Sequence, residues 1–515
     1  MTEVTTVPEV RVPFASVAAL RDLPTPRSPL EFLELEQRVQ ALASQESDTL
    51  LGYHLVRAHE DVDFVQEAVR AARAQYATPL IHKGGRVLTV LLPGGTRYLV
   101  KTPYLRPAPP RQAGRKRRRR GLGGAGCYPV LEALGIRDRV SPATRSELAL
   151  YAVQAGSYQE ALVLLSAQGL NVDASTLLRV AQSTAQADVA LRDAALERAR
   201  AVPLGADGPL VGLRVRISVD GGRVRTRCPH RGRKTQKGRH RFETPWREPR
   251  VLVLDILDDQ GRTDPLRLPL YDVLLADADA TMALLSGYLR LLGAAHAREI
   301  VFIAPGVDWI WERLDGVRQA AQIPPERWVE VIDFYHAAEH LHHTVQPLWP
   351  KSQAAACAGF YEGLRHDLRN EVDGVDKVIA SLEARARKRR TKKIATAIQY
   401  FVKHRQRMAY VDLDRRQLPV GSGAVESAVR RIINLRFKAP GTFWDAHTVE
   451  DLMHLRAAFK AGRWQEVIQR VLTGQYELPS FKALSQAQIR DLLPLDPEEA
   501  TAAVDQANPV PDTPL

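Results

Sequence analysis

The stretch that decides the fold class runs from Leu213 to Gly222 and reads LRVRISVDGG. Its apolar residues alternate with polar ones, and this alternation predicts a β-strand with one apolar face. Asp220 ends the strand directly before two glycines, a position at the rim of a sheet. Between Ser28 and Tyr76, by contrast, apolar residues recur at helical spacing. The chain therefore combines helices with a sheet.

The segments that follow Asp220 predict a particular order of strands and helices. A return strand is expected in GRVRTR (222–227) and a third strand in VLVLDIL (251–257). A helix, the strand REIVFIA, a second helix and the strand WVEVID follow, and the last of these ends at Asp333. A later amphipathic helix carries Glu426 behind a Gly-Ser-Gly turn. This is the ribonuclease-H-like order, in which the first and fourth strands lie side by side and acids at their ends meet.

Composition indicates a polyanionic partner. The 515 residues include 72 Lys and Arg against 59 Asp and Glu, a net charge of +13, which points first to nucleic acid and second to an anionic membrane. No apolar run has the length of a membrane span and the N-terminus is no secretory signal, so a cytoplasmic protein without membrane association is expected. Cys127, Cys228 and Cys357 lie far apart, which argues against a disulfide framework and a CxxC zinc site.

Two segments in the first half predict contacts with DNA. The basic run RQAGRKRRRR supplies a solvated arm that can neutralise phosphates. Downstream, Ser157 and Glu160 form a capping box, and Asp173 can cap a second helix that presents polar groups. A helix-turn-helix fits this pattern. An ordinary helical hairpin is the commoner alternative, but the preceding basic run favours DNA. The predicted contacts are Arg115, Lys116, Arg117, Arg118, Arg119, Arg120, Ser175, Thr176 and Arg179.

The predicted organisation is multidomain α/β. Its parts are a flexible N-terminus (1–27), a helical region (28–80), a small β element around a Pro-Gly-Gly turn (81–110), a basic arm (111–126), a helix-turn-helix domain (127–205), the first part of a ribonuclease-H-like domain (211–336), an α-helical insertion with a DNA-facing surface (337–412), the last part of that domain with the Glu426 helix (413–470), and a C-terminal extension with a disordered tail (471–515).

Several motifs in this order resemble those of bacterial insertion-sequence transposases of the DDE type, in particular the Kra-type family, which is distantly similar to Mutator-like transposases. The resemblance runs from about Gly84 to Trp464. It rests on SVDGGRVRTR, KGRHRFETPWREPR, WIWERL, VIDFYHAAEHL, GSGAVESAVRRIINLRFKAPGTFW and LMHLRAAFKAGRW.

The resemblance implies metal-dependent cleavage of DNA and strand transfer. Asp220 would be the first carboxylate ligand of Mg²⁺ (or Mn²⁺) and Glu426 the third, with Asp333 and His336 in a supporting role; a structural role for His336 is an equal alternative. Two such ions activate the attacking oxygen and steady the leaving one. Double-stranded DNA, as transposon ends and target, is the expected partner, and a homodimer or higher oligomer is expected on DNA.

The second acid of the motif departs from the family pattern. Relatives look like Asp-Gly-Ala-x-Trp-Ile-Trp, whereas this chain has Pro305 in place of the Asp and Asp308 three residues later. Asp308 either completes the metal site or simply caps the following helix. If it does not complete the site, the chain is a DNA-binding relic or a repurposed regulator. A metal-dependent nuclease without strand transfer is a further alternative.

Further basic residues are expected to contact phosphates beside the metal site. On the segment that follows Glu426, the simplest alternative is an i,i+4 ion pair between Glu426 and Arg430. The remaining predicted DNA contacts are Lys237, Arg239 and Arg241 in the loop before the third strand and Arg430, Arg431, Arg436 and Lys438 after Glu426.

Overall fold

A computed structural model describes residues 26–108, 126–202, 207–229, 232–238, 240–387, 391–485 and 488. The predicted flexible N-terminus up to residue 25, the arginines and lysine of 115–120, Arg239 and most of the C-terminal tail lie outside these described residues. The chain divides into two compact units, Met1–Thr184 and Ala185–Leu515.

The first unit begins with two helices and a hairpin. Helix α1 spans Pro29–Glu60 and α2 spans Val62–Gln75. Strands β1 (Leu80–Leu91) and β2 (Arg97–Pro107) pair in antiparallel fashion, which confirms the predicted hairpin. Gly95 takes a φ of +91° in the turn, a conformation that glycine adopts without strain.

Four further helices follow, α3 (Pro129–Ala133), α4 (Pro142–Gln154), α5 (Tyr158–Ala167) and α6 (Ala174–Ala201). The Ser157 hydroxyl accepts a hydrogen bond from the Glu160 backbone N–H at 3.1 Å, so the predicted cap is confirmed. Asp173 likewise accepts from the Thr176 N–H at 2.7 Å. Helix α6 is longer than the sequence indicated. Its second half belongs to the second unit, where Leu196 is buried in the core.

The strands of the second unit form one main sheet and two short ribbons. They are β3 (Arg214–Gly221), β4 (Val224–Arg225), β5 (Cys228–Pro229), β6 (Phe242–Glu243), β7 (Trp246–Arg247), β8 (Arg250–Leu257), β9 (Leu270–Leu274), β10 (Glu299–Ala304) and β11 (Trp328–Ile332). The main sheet has the order β11-β10-β3-β8-β9. Strand β3 is antiparallel to β8, which is antiparallel to β9, whereas β3, β10 and β11 are parallel.

The predicted return strand at 222–227 is wrong. Strands β4 and β5 lie there, but they pair with β7 and β6 in the short ribbons and do not join the main sheet. Three arginines in this segment leave it without the apolar face that a buried sheet strand needs. The return strand is β8, and β9 was not predicted at all.

Helices cover the main sheet and fill the rest of the second unit. Both faces of β3 are buried, the polar one through ion pairs such as Arg216–Asp255 at 2.7 Å. The helices are α7 (Ala278–Leu291), α8 (Asp308–Trp311), α9 (Leu314–Ala320), α10 (Phe334–Val345), α11 (Ala354–Asn370), α12 (Gly374–Ala386), α13 (Lys392–His404), α14 (Tyr410–Arg415), α15 (Gly423–Val429), α16 (Leu435–Phe437), α17 (Ala446–Lys460) and α18 (Trp464–Thr473).

The protein is thus of the mixed α/β class, with more helix than strand. The described residues of the segment expected as a helical insertion are mainly helical, with short turns between the helices. Helices α15 and α16 are joined by a π-helical turn at Arg430–Asn434, which interrupts the continuous helix that the sequence predicts there. Across the described part of the chain, we find no helix with the length and apolar character required to cross a membrane.

Candidate active site

Asp220 lies at the end of the central strand β3. Its Oδ1 accepts a hydrogen bond from the Gly221 N–H at 2.7 Å. Burial raises the pKa of this carboxyl, and the negative charges of Glu248 and Asp333 add to the rise. The hydrogen bond from Gly221 and the charge of His336 act in the opposite direction. Asp220 therefore stands among other acids at this edge of the sheet.

Asp333 is a fully buried acid at the end of β11 that holds two segments together. Its Oδ1 caps helix α10 by accepting from the backbone N–H groups of Tyr335 at 2.6 Å and His336 at 3.1 Å. Its Oδ2 accepts from the Ser422 N–H in the Gly-Ser-Gly turn. The Phe334 N–H also donates to the Val420 carbonyl at 2.9 Å. These bonds fix the turn that precedes Glu426 beside the start of α10.

Glu426 and His336 face each other from the first turns of α15 and α10. The His336 Nε2 lies 3.6 Å from the Glu426 Oε1, and the His336 Nδ1 lies 3.9 Å from the Glu339 Oε2. The Nε2 atom is buried and has no hydrogen-bond partner among the described residues. Ligand atoms of Asp333, His336 and Glu426 all lie within 4.8 Å of one another. We call these three residues the acid–histidine cluster.

The charges of the cluster and of Asp220 act on one another. Burial raises the pKa of Glu426, and the charges of Asp333, Asp220 and Glu339 raise it further, whereas His336 lowers it. Asp220, Asp333 and His336, which the sequence also singles out, are thus near enough for their charges to act on the pKa of Glu426. Burial is the largest cause of the raised pKa of both Asp220 and Glu426, and neighbouring negative charges add to it.

Asp308 is engaged elsewhere. Its Oδ1 forms an ion pair with the Lys403 Nζ of α13 at 2.6 Å, and its side chain is 65% exposed. Asp308 is the first residue of α8, and the residue at the N-cap position is Val307. Pro305 directly follows β10, the parallel neighbour of β3, and its carbonyl accepts from the Trp311 Nε1 at 2.8 Å. The residue that follows β10 is therefore a proline, whose side chain is an apolar ring.

Glu248 is an acid near Asp220 that the sequence reasoning missed. A Cβ built on Gly221 would lie 2.6 Å from the Glu248 Oε1, so this carboxylate rests against the backbone next to Asp220. The antiparallel register pairs Gly221 with Arg250, two residues beyond Glu248. This pairing places Glu248 near Asp220. The sequence did not reveal it, because the return strand was predicted at 222–227 and not at β8.

The predicted DNA contacts on α6 are used locally. Ser175 Oγ donates to Asp173 Oδ1 at 2.5 Å, and Thr176 is bonded to the same carboxylate. Arg179 forms an ion pair with Asp138 at 2.9 Å while its side chain remains half exposed. The helix start is therefore stabilised by the residues that were expected to reach base edges.

The predicted contacts near Glu426 differ in their accessibility. Arg430, Lys438, Lys237 and Arg241 are exposed. Arg431 is half-buried and donates to the Tyr271 hydroxyl at 3.1 Å. Arg436 is only 2% exposed and lies against the rings of Phe437 and Trp444, so the prediction of a phosphate contact for it is wrong. Among the ion pairs of the described residues, none joins Glu426 to Arg430.

The donor set fits a divalent cation. Carboxylate oxygens are ligands for Mg²⁺ and Mn²⁺, and an imidazole nitrogen suits transition metals. A bound cation would give the buried His336 Nε2 a partner. It would also offset the effects that raise the pKa values of Asp220 and Glu426. Because one donor is nitrogen, the set favours Mn²⁺ over Mg²⁺.

The structure thus defines a mixed α/β protein with an acid–histidine cluster at one edge of its main sheet. No protein-family model matches the chain, and comparison with curated proteins and with solved structures also found no match.

Proposed function

We propose that this chain is a DDE-type transposase of the Kra-type insertion-sequence family, with a ribonuclease-H-like catalytic domain. It would bind double-stranded DNA at transposon ends and catalyse metal-dependent cleavage and strand transfer. One observation carries the proposal: ligand atoms of Asp333, His336 and Glu426 lie within 4.8 Å of one another, although Glu426 is far from the other two in the chain. The charge of Asp220, the acid that ends the first strand, also raises the pKa of Glu426.

The arrangement of the sheet supports the ribonuclease-H-like assignment. Three antiparallel strands precede a helix, a strand, a helix and a further strand, as the sequence order requires. Strand β3 lies beside the fourth strand of the sheet in chain order, β10, in parallel orientation. In that fold these two strands bring their terminal acids together. This pairing supports the proposed role of Asp220, while Pro305 follows β10 at the matching place.

Each residue at the sheet edge has a distinct role in the proposed reaction. Asp220, Glu426 and His336 would hold the divalent cation. When bound, such a cation activates an attacking oxygen and stabilises the negative charge of a leaving oxygen. Asp333 acts as a positioning residue, because its carboxylate accepts hydrogen bonds from backbone N–H groups of the segments that carry His336 and Glu426. Exposed Arg430 and Lys438 provide positive charge for phosphates.

A second candidate function is DNA binding without cleavage. It is favoured because a proline stands where the second acid is expected. Pro305 offers no ligand atom from its side chain, and Asp308 is held by Lys403. Restoring an acid at the end of β10 separates the two functions. In this second case Pro305→Asp gains activity that the natural chain lacks.

The test is cleavage of DNA that carries the flanks of the element, with Mg²⁺ or with Mn²⁺. We expect the natural chain to cut at the element ends, Asp220→Asn and Glu426→Gln to lose cutting, and Asp308→Asn to retain it, because Asp308 is engaged by Lys403. Cutting that persists in Glu426→Gln rejects the proposed site. Cutting without any requirement for the element ends supports a nuclease instead.

A further inference from the structure

Three aromatic rings and two guanidinium groups form a row on the short ribbons that follow Asp220. Arg225 lies 5.2 Å from the Trp246 ring and 5.5 Å from the Phe443 ring. The Phe443 and Phe242 rings are 5.8 Å apart, and Arg227 lies 4.1 Å from the Phe242 ring. We call Trp246, Arg225, Phe443, Phe242 and Arg227 the aromatic row.

The aromatic row is accessible. Trp246 is 51% exposed, Phe242 39% and Phe443 38%. Arginine over an aromatic ring also stabilises a ribbon by cation–π attraction, and Arg225 and Trp246 are direct cross-strand partners. This attraction stabilises the ribbon, but it does not require three rings to remain this exposed. A cluster of exposed apolar groups marks an interaction surface.

Charge determines which class of partner the row can accept. Residues 224–247 contain nine Lys and Arg and a single Glu. A second copy of this chain would bring a surface of the same sign, and the two would repel each other. A polyanion is the complementary partner, and it gains from each phosphate that these residues neutralise.

Among polyanions, the exposed rings favour nucleic acid with unpaired nucleotides as the partner. In a duplex each base face is covered by its neighbours, whereas an unpaired base can stack on an aromatic side chain. Arginine beside such a ring adds a cation–π contribution and a phosphate contact. A surface of neighbouring rings and guanidinium groups is therefore expected to bind a single strand better than a duplex.

The row is connected directly to the candidate active site. Strand β4 begins four residues after Asp220. On the other side, the Trp444 N–H donates to the Arg225 carbonyl at 3.0 Å and the Arg227 N–H donates to the Trp444 carbonyl at 2.7 Å. Trp444 follows α16, the last turn of the helical segment that begins with the Glu426 helix. The segments that carry Asp220 and Glu426, two of the three proposed metal ligands, thus lead into this ribbon.

We propose that the aromatic row binds unpaired nucleotides of the DNA strand that enters the active site. This inference rests on the proposed function. It adds that the protein holds the DNA near the cleavage point with its bases unstacked, and that Trp246, Phe242 and Phe443 are the residues that do so.

The experiment compares two labelled DNA probes, a thymidine homopolymer and a duplex of the same length, by fluorescence anisotropy. The test variant changes Trp246, Phe242 and Phe443 to leucine, which keeps apolar cover and removes the rings. We expect its affinity for the single strand to fall about tenfold or more, the equivalent of one lost base stack. Duplex affinity and the salt dependence of binding should change little, because no cation is removed.

Controls keep the outcome interpretable. Phe32→Ala removes an equally exposed ring outside the ribbon and should leave both affinities unchanged. If the triple variant has an altered thermal unfolding transition, Phe443→Leu alone decides, since Phe443 lies outside β4–β7; it should lose single-strand affinity by itself. Trp246→Tyr should retain most of the binding, because it retains a ring.

Three results overturn the inference. The first is an equal loss of affinity for both probes, or no loss for either. The second is tighter ring-dependent binding of a uridine homopolymer than of the thymidine one, which would assign the row to RNA. The third is a change of oligomeric state caused by the triple variant, which would assign the row to self-association. If the natural chain binds neither DNA probe, the proposed function fails as well.

Discussion

The folded protein disfavours the charged form of the Glu426 side chain, and this effect can be measured without DNA. Its pKa is raised in the folded state, so folding is disfavoured at pH values above that pKa. The cost disappears as the pH falls below the ordinary value of a glutamate, about 4.3. Without divalent cations, we expect Glu426→Gln to stabilise the protein at neutral pH by less than about 1 kcal/mol, since solvent screens a half-exposed carboxylate.

Thermal or denaturant unfolding measures this difference. The gain should vanish below about pH 3.5, where the glutamate is mostly protonated in both states. Glu326→Gln, at an exposed glutamate in the same unit, is the matched control and should show no gain. A destabilising effect of Glu426→Gln at neutral pH would mean that the carboxylate has a stabilising structural role.

Asp333 is expected to matter for stability as well as for the site. Asp333→Ala removes the acceptor of three backbone N–H groups in the interior, two from α10 and one from the turn before Glu426. We expect a loss of about 3 kcal/mol in the free energy of unfolding. Asp445→Ala removes an exposed cap of α17 that accepts from two backbone N–H groups and should cost only about 1 kcal/mol. Equal losses would mean that the bond to Ser422 contributes nothing.

A buried histidine connects three elements of the second unit. His454 of α17 lies 2.9 Å from an Asp188 oxygen on α6 and 3.0 Å from an Asp272 oxygen on β9. Arg470 and Arg192 pair with the same two carboxylates. Both imidazole nitrogens therefore donate, which requires the protonated ring.

This arrangement predicts a loss of stability at alkaline pH. Burial alone lowers the pKa of His454, but the charges of Asp272 and Asp188 prevail and raise it to about 9. The stabilisation is fully present below about pH 6.5 and is lost as the pH rises through about 9. We expect a loss of a few kcal/mol between neutral pH and pH 10, and a much smaller pH dependence in His454→Gln. Parallel pH profiles for the two proteins would contradict the role of this histidine.

The elements show which features the sequence determines locally. The hairpin around Gly95 and the start of α5 at Ser157 were predicted because turn and cap chemistry acts within a few residues. The segment 222–227 was assigned to the wrong sheet because strand pairing depends on partners distant in sequence. Strand β9 was missed for the same reason.

The candidate site was predictable to a similar extent. Asp220 stands at the end of a strand, so the local pattern was enough to place it at the edge of a sheet. The role predicted for Glu426 came from the resemblance, since its segment alone is equally compatible with a surface ion pair. The ion pair of Asp308 with Lys403 joins residues 95 positions apart, and no local pattern indicates it. The burial of Arg436 depends on Phe437 and Trp444, which close over it only in the folded chain.

At the scale of the whole molecule, net charge predicts how DNA binding responds to salt. The chain carries a net charge of +13, and six of its basic residues are contiguous at 115–120. Replacing these six with neutral residues should weaken binding to all sequences and reduce the slope of log affinity against log salt by up to about 5, at about 0.9 per lost phosphate contact. Binding measured at several salt concentrations gives the slope. An unchanged slope would show that this segment does not contact phosphates.

The proposed metal site of Asp220, Glu426 and His336 is most directly tested by binding of Mn²⁺ to the full chain, with free Mn²⁺ followed by electron paramagnetic resonance. We expect the natural chain to bind Mn²⁺, Glu426→Gln and Asp220→Asn to weaken binding at least about tenfold, and Glu326→Gln to leave it unchanged. Equal Mn²⁺ binding by the natural chain, Glu426→Gln and Asp220→Asn would contradict a metal site at this edge of the sheet.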